Sequence, residues 1–304
     1  MNGVLVLDKP AGFTSFDAVA VLRRLTGERK IGHTGTLDPM ATGVLPLLLG
    51  RATRASALLP DTDKAYEAGF HLGYATDTQD ATGKTTARGG RRASRAEVEA
   101  ALGKFRGEIL QTPPMFSALH VGGKRLYDLA RKGVEVERQP RPVNVYRLAL
   151  LAFDEAAQTG TLGISCSKGT YIRTICADLG EALGTCGVMS ALRRTRASGF
   201  ALADCVTVDA ARELAAAGRL FERVLPVETL FAARPALSVS AAQAARFSNG
   251  GALDAARTAL AGEKAREGDV FRVRAPDGAF LGLGRVRDGR LCVLRLFGPE
   301  INHG

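Results

Sequence analysis

Asp38 stands before Pro39 in a loop flanked by Gly35 and Gly43, and a residue that precedes proline is biased away from helical backbone. Such a loop can project a carboxylate rigidly. His33 and Thr34 lie just upstream on the same loop. Further along, Ser165-Cys166-Ser167-Lys168-Gly169-Thr170-Tyr171-Ile172-Arg173-Thr174 sets a Tyr and an Arg two residues apart at a strand, turn and helix start. If Arg173 pairs with Asp38, its fork favours the ionised carboxylate and holds it in place. On type and spacing alone a plainer reading also stands. Asp-Pro in a Gly-rich loop makes turns, a lone His is a structural hydrogen-bonder, and Tyr66 and Tyr171 are core aromatics with satisfied hydroxyls. These residues suggest a site without deciding its reaction.

The elements that would position them can be read from pattern. Val4 to Leu7 is a strand stopped by Asp8-Lys9-Pro10-Ala11-Gly12, after which Thr14 or Ser15 caps a helix with Phe16, Val19 and Leu22 on its apolar face. The Asp38 loop feeds a buried strand over 44–49, and 66–72 reads as another strand. Ser94-Arg95-Ala96-Glu97 is a capping box opening a helix to about Phe105. Thr159 to Cys166 reads as a strand, 170–183 as a helix closed by Gly184, and Thr207 caps a helix over 208–217. After Phe231 a helix is expected over 237–247, followed by short strands near 270–273, 279–286 and 291–297 with Asp-Gly turns between them. A domain boundary is expected near residue 232.

The chain has 304 residues with 41 Lys+Arg against 31 Asp+Glu, a net charge of +10 carried by 32 Arg and 9 Lys. Arg grips phosphate bidentately, so polyanions are plausible partners. One stretch, from Thr112-Pro113-Pro114 to Pro140-Arg141-Pro142, holds Lys124, Arg125, Arg131, Lys132, Arg138 and Arg141 and reads as a basic insertion; Arg88, Arg91, Arg92 and Arg95 form a second cluster. Five cysteines without a C-x-x-C pair indicate neither a disulfide framework nor a zinc site. With no signal-like amino terminus and no run of about 20 apolar residues, a reduced, soluble, cytoplasmic protein without membrane contact is expected. Gly83-Lys84-Thr85 has Thr78 where a phosphate-binding loop needs its first Gly, and no G-x-G-x-x-G follows a strand. His33, His71, His120 and His303 are scattered, so no metal and no nucleotide cofactor are expected.

Four stretches then occur in a telling order: Leu7-Asp8-Lys9-Pro10-Ala11-Gly12-Phe13-Thr14-Ser15, the Lys30 to Gly43 loop, Asp63-Lys64-Ala65-Tyr66, and Lys168-Gly169-Thr170-Tyr171-Ile172-Arg173-Thr174, with Leu192-Arg193-Arg194-Thr195 after them. They closely resemble the bacterial TruB family, the tRNA pseudouridine-55 synthases. The resemblance covers roughly residues 1–231, and the tail resembles a small PUA-type RNA-binding barrel more weakly. It implies an α+β fold, with a mixed or antiparallel sheet and flanking helices, comprising a catalytic domain over 1–231 and a PUA-like β-barrel domain over 232–304. It also implies an isomerase, needing no cofactor, that converts a uridine in the T-arm of tRNA to pseudouridine.

Residue by residue, Asp38 matches the family's nucleophile, Tyr66 the tyrosine that stacks on the flipped base and is a candidate for proton abstraction, and Arg173 the arginine paired with the aspartate. Tyr171 and Leu192 match the uridine pocket, and His33 the histidine that supports the flipped-out T-loop. Lys9 and Pro10 resemble structural support near the site, with a phosphate contact by Lys9 as the alternative. The segment around 115–145 is similar to a thumb-like insertion that closes on RNA. Whether Asp38 attacks the sugar or the base is left open. Two rival functions remain: a non-catalytic tRNA-binding or folding protein on the same scaffold, against which intact Asp38, Tyr66 and Arg173 argue, and a cofactor-dependent RNA modifier, for which the glycine motif is missing. Nothing in the sequence demands an oligomer, and a monomer is expected.

Overall fold

The apolar runs at the amino terminus and after the Asp38 loop become neighbouring strands, because a strand covered on both faces can afford to be apolar throughout. They are β1 (Gly3–Lys9) and β3 (Thr42–Leu49), antiparallel over their length, with α1 (Ser15–Thr26) and the short β2 (Ile31–His33) between them. The computed structural model describes residues 1–60, 63–117, 119–262 and 265–298. His303 and the side chains of Lys124 and Arg125 lie outside the described residues.

β4 (Lys64–Leu72) is followed by the hairpin β5 (Tyr74–Thr76) and β6 (Thr85–Arg88), α2 (Arg95–Ala101) and β7 (Gly107–Gln111). The insertion contributes β8 (His120–Val121), β9 (Lys124–Arg125) and α3 (Leu126–Ala130). Then come β10 (Arg141–Asp154), β11 (Thr159–Cys166), α4 (Ile172–Ala182), β12 (Gly187–Ala197), β13 (Phe200–Ala201), β14 (Val206–Thr207) and α5 (Val208–Ala216). Ten strands make one mixed sheet, ordered β14-β1-β3-β12-β4-β11-β10-β7, with β2 on β3 and β13 on β12. The pairs β1–β14 and β3–β12 are parallel. The register at the centre matters most for function: Arg194 of β12 lies opposite Gly43 of β3 on one side and Tyr66 of β4 on the other.

Several sequence expectations hold, with adjusted boundaries. Thr14, not Ser15, caps α1 through a reciprocal box with Asp17, but Phe16 is 69% exposed and the buried face is Ala18, Val19 and Leu22. Ser94 and Glu97 form the expected box, yet the helix tightens into a 3₁₀ turn after Ala101 rather than continuing to Phe105. Gly169 has a left-handed φ and Tyr171 an extended one, so α4 starts at Ile172 instead of Thr170. The helix expected over 237–247 is split. Leu237 and Val239 are buried at a spacing of two, which suits a strand, and Ser240 with Gln243 caps a new helix after them.

The tail thus holds β15 (Ala236–Ser238), α6 (Ala241–Ser248), β16 (Leu253–Asp254), β17 (Val270–Arg274), β18 (Phe280–Arg287) and β19 (Arg290–Leu296), in a five-stranded sheet ordered β15-β17-β18-β19-β16. Val4, Val6, Val44 and Leu48 of the large sheet share one apolar cluster with Phe231, Val270, Leu283 and Phe297, so the tail covers one face of the large sheet. A second cluster, on Leu5, Leu45, Phe70, Ile175 and Leu179, fills the other face under α1 and α4. Among the described residues no helix is long and apolar enough to cross a membrane.

The second arginine cluster is largely spent on the fold. Arg91 bonds Glu97 and the Leu183 carbonyl, Arg92 bonds the carbonyls of Glu155 and Ala156, and Arg95 pairs with Glu99.

Candidate active site

The Asp38 loop is held from three sides. Leu37 N–H donates to Ser15 Oγ (2.9 Å) at the start of α1, and Gly12 N–H donates to the Pro39 carbonyl (2.9 Å). From beneath, the fully buried Arg194 donates Nε to the Val44 carbonyl (2.7 Å), Nη1 to that of Thr36 (3.2 Å) and Nη2 to that of Gly35 (3.1 Å). An arginine can be buried this way only because carbonyl acceptors meet its donors. β12 comes this close because residue 43 is Gly: a Cβ there would lie 2.2 Å from the Arg194 carbonyl oxygen.

Of the two readings of Lys9, structural support and a phosphate contact, the geometry favours the first. The lysine is fully buried, and its ammonium donates to the carbonyls of Pro10 (2.9 Å), Phe13 (2.6 Å) and Pro39 (3.2 Å). Burial lowers its pKa to about 8. Its donors are used on the backbone, so it ties the amino-terminal turn to the Asp38 loop and cannot reach a phosphate from this position.

The carboxylate so placed opens onto a cleft of about 250 Å³ lined by Asp38, Lys64, Tyr66, Tyr171, Arg173 and Leu192, among others. Arg173 brings Nε to 3.2 Å from Asp38 Oδ2, Nη1 to 3.6 Å from Asp80 Oδ2 and 3.1 Å from the Thr78 carbonyl, and Nη2 to 2.9 Å from the Phe116 carbonyl. Burial pushes the Asp38 carboxyl above the usual carboxylate range; Arg173 pulls it back, Asp80 adds to the rise, and Lys9 opposes it weakly. Asp80 is itself fixed by the Thr78 and Thr82 hydroxyls, at 2.9 and 2.5 Å, and by the Thr82 N–H. It buttresses Arg173 rather than facing the cleft.

Tyr66 is buried on β4, and burial raises its phenol to about 12 against the opposing charge of Arg194. Tyr171, at the start of α4, has its backbone clamped by Gln111, whose Oε1 accepts the Tyr171 N–H (3.0 Å) while Nε2 donates to its carbonyl (3.2 Å). Leu192 on β12 closes an apolar wall. His33 sits in β2 opposite Leu47 and does not line this cleft. Burial and the neighbouring Arg194 push its pKa down, and its buried Nδ1 has no partner among the described residues.

The structure therefore unites Asp38, Tyr66, Tyr171, Arg173 and Leu192, puts Lys9 behind the loop, and leaves His33 outside the cleft. Sequence reading gave no role to Asp80, Arg194 or Lys64, and offered Ser15 only as a helix cap. The signal for Asp80 was the Thr78-Gln79-Asp80-Ala81-Thr82 spacing of an Asx turn; Arg194 had no local signal, because its role depends on β12 lying beside β3. Among the described residues no group of three His, Cys, Asp or Glu side chains could hold a metal ion.

The TruB family pseudouridylate synthase (N terminal domain) model matches residues 23–172, and the tRNA pseudouridylate synthase B C-terminal domain and TruB C-terminal models match 173–232 and 235–297. A tRNA pseudouridine synthase B of Azoarcus sp. (strain BH72) is 43% identical across 99% of this chain and 96% of its own length. The chain belongs to the TruB family. A second relative of the same name, from Geobacillus thermodenitrificans (strain NG80-2), is 46% identical across 83% of the chain and 86% of its own length. Among solved structures, a chain of a Cbf5-Nop10-Gar1 complex superposes with a TM-score of 0.73 at 25% identity, over 98% of this chain and 85% of that one. The α+β pseudouridine synthase fold expected from the motifs is thus the fold of this TruB family chain.

Proposed function

We propose that the protein isomerises the uridine at position 55, in the TΨC loop of tRNA, to pseudouridine, with Asp38 as the nucleophile. The observation that carries this reading is the Asp38–Arg173 pair, 3.2 Å apart in a cleft walled by Tyr66, Tyr171 and Leu192, in a chain whose relatives are named tRNA pseudouridine synthase B. A base stacked in a T-loop is out of reach of such a carboxylate, so the uridine must first leave its stack. Asp38 then attacks the ribose or the base, and the N1–C1′ bond breaks. The uracil turns, C5 bonds C1′, the C5 proton leaves, and Asp38 is released. N1, freed of C1′, takes up a proton in place of the one that C5 loses to solvent, so every heavy atom of the substrate is kept and the sequence balances without a cofactor.

Arg173 keeps Asp38 ionised against the cost of its burial. Tyr66 stacks on the freed base and is assigned the removal of the C5 proton; Tyr171 and Leu192 confine the base. His33, outside the cleft, is assigned the support of the flipped-out loop. Residues 1–231 are the catalytic unit with a basic insertion around 115–145 that grips RNA, and 232–304 are a PUA-like RNA-binding unit. A net charge of +10 makes phosphate contacts the main source of affinity, and the enzyme works as a cytoplasmic monomer on the T-arm. Tritium release from tRNA labelled at uridine C5, with no cofactor added, tests the reading. Release mapped to the T-loop uridine, lost in Asp38→Asn with tRNA binding kept within a few-fold, is the expected result. Salt-sensitive binding without release would favour a tRNA-binding protein instead.

A further inference from the structure

One polar side chain in the wall of the cleft has neither a role nor a partner. Ser117 lines the cleft and is 5% exposed, and its Oγ finds no hydrogen-bond partner among the described residues. Nearly all buried hydroxyls in folded proteins are paired, because leaving one unpaired is costly. An exception that borders a binding cleft has an evident use once the cleft is filled.

The backbone around Ser117 is pinned. Its N–H donates to the Met115 carbonyl (2.9 Å), its carbonyl accepts the Tyr127 N–H (3.0 Å), and the preceding Phe116 carbonyl accepts Arg173 Nη2 (2.9 Å). The segment that closes on the catalytic arginine is therefore the one that carries the hydroxyl, whose Oγ is buried at the cleft wall and reaches the cleft by turning about χ1. Arg173 has its own donors engaged on Asp38, Asp80, Thr78 and Phe116. Leu192 and Ile172 offer apolar surface, which fills space without choosing between polar edges.

We propose that Ser117 Oγ hydrogen-bonds the flipped target uridine, at a uracil carbonyl or at the 2′-hydroxyl of its ribose, and so is a substrate-binding residue. A hydroxyl rotates freely, donating to a carbonyl or exchanging a bond with another hydroxyl. The insertion then supplies a group of the nucleotide pocket in addition to basic charge. This inference rests on the isomerase reading above.

The test uses the full chain and a T-arm stem–loop RNA whose target nucleotide is uridine, 2-thiouridine, 4-thiouridine or 2′-deoxyuridine. kcat and KM are measured for wild type, Ser117→Ala and Ser117→Thr. With uridine, Ser117→Ala should lose about three- to tenfold in kcat/KM, the worth of one hydrogen bond, and Ser117→Thr should recover most of it. One analogue should cost the wild type a similar factor and cost Ser117→Ala nothing further, which names the atom bonded. Equal losses on every substrate, or no loss with uridine, would overturn the proposal while leaving the isomerase intact. A wild type that converts no uridine would instead sink the isomerase reading, and the proposal with it.

Discussion

Arg173 Nε stands 3.2 Å from Asp38 Oδ2, with the arginine side chain 8% and the aspartate side chain 36% exposed. The cation is sunk in the protein and the anion faces the cleft. The pair is therefore a device for holding an ionised carboxylate at the edge of a desolvated site, and it makes the identity of the cation testable.

Arg173→Lys keeps the charge but not the fork. One ammonium cannot reach Asp38, Asp80 and the carbonyls of Thr78 and Phe116 together. The expected outcome is a fall of about 100-fold or more in the saturated rate, roughly 3 kcal/mol of lost transition-state stabilisation, with tRNA affinity within a few-fold. Single-turnover rates and filter binding check this; near-normal turnover would remove the pairing from the mechanism.

The pH dependence follows from the raised pKa of Asp38. Only the carboxylate attacks, so the rate should fall with acid at a pH above the ordinary carboxylate range, and Arg173→Lys, with a poorer partner, should move that limb upward. For stability the sign runs the other way. A carboxyl whose pKa is higher folded than unfolded favours the fold when protonated, and this contribution is lost as pH rises through the folded pKa. Asp38→Asn should therefore melt higher than wild type at neutral pH, with the difference shrinking as pH falls through the raised folded pKa and gone below the ordinary carboxylate pKa. A pH series of rates and melting curves reads both; an Asn variant that melts lower at neutral pH would contradict the burial cost.

Tyr66 divides into a ring and a hydroxyl. Tyr66→Phe keeps the stacking face and removes the oxygen, so RNA binding should stay within a few-fold while turnover falls by about 100-fold, at the lower end of acid–base contributions. Tyr66→Leu should weaken binding as well, since base–aromatic stacking is worth ~1–3 kcal/mol. Similar turnover by Tyr66→Phe and wild type would assign the C5 proton to another group, a live alternative because burial holds the phenol at about 12.

The sequence made this site legible where function is carried by short loops and not where it depends on pairing across the sheet. Asp38, Arg173 and Tyr66 stand out because Asp-Pro, Tyr-x-Arg and Lys-x-Tyr are local patterns. Arg194 does not, because its role depends on β12 lying parallel to β3, a long-range register that no window of sequence contains. Phe16 misleads for the same reason, and Lys9 stays open between support and a phosphate contact: helical spacing says which residues share a face, and a basic side chain near a site suggests an anion, but only the surrounding elements decide which face is covered and which ammonium is satisfied by carbonyls. The split of the expected helix over 237–247 is a local failure, since Ser240 with Gln243 is a capping signal within the very window read as one helix.

Gly43 offers the sharpest check on that long-range pairing. Its φ is +103, and a Cβ would lie 2.2 Å from the Arg194 carbonyl oxygen and 2.9 Å from that residue's carbonyl carbon and nitrogen. Gly43→Ala must therefore pry β3 from β12, loosening the guanidinium that holds the Gly35 and Thr36 carbonyls and with them the Asp38 loop. A cost of about 2–4 kcal/mol is expected, a loss of roughly 4–8 °C in Tm for a chain of this length, together with a fall in turnover at temperatures where the protein stays folded. Gly218→Ala is the control, because its φ is +69 but a Cβ there would meet nothing within 4 Å; it should cost only about 1 kcal/mol of backbone strain and leave turnover unchanged. Equal effects of the two substitutions would mean that backbone conformation, and not the close approach of Arg194, is what requires glycine at position 43.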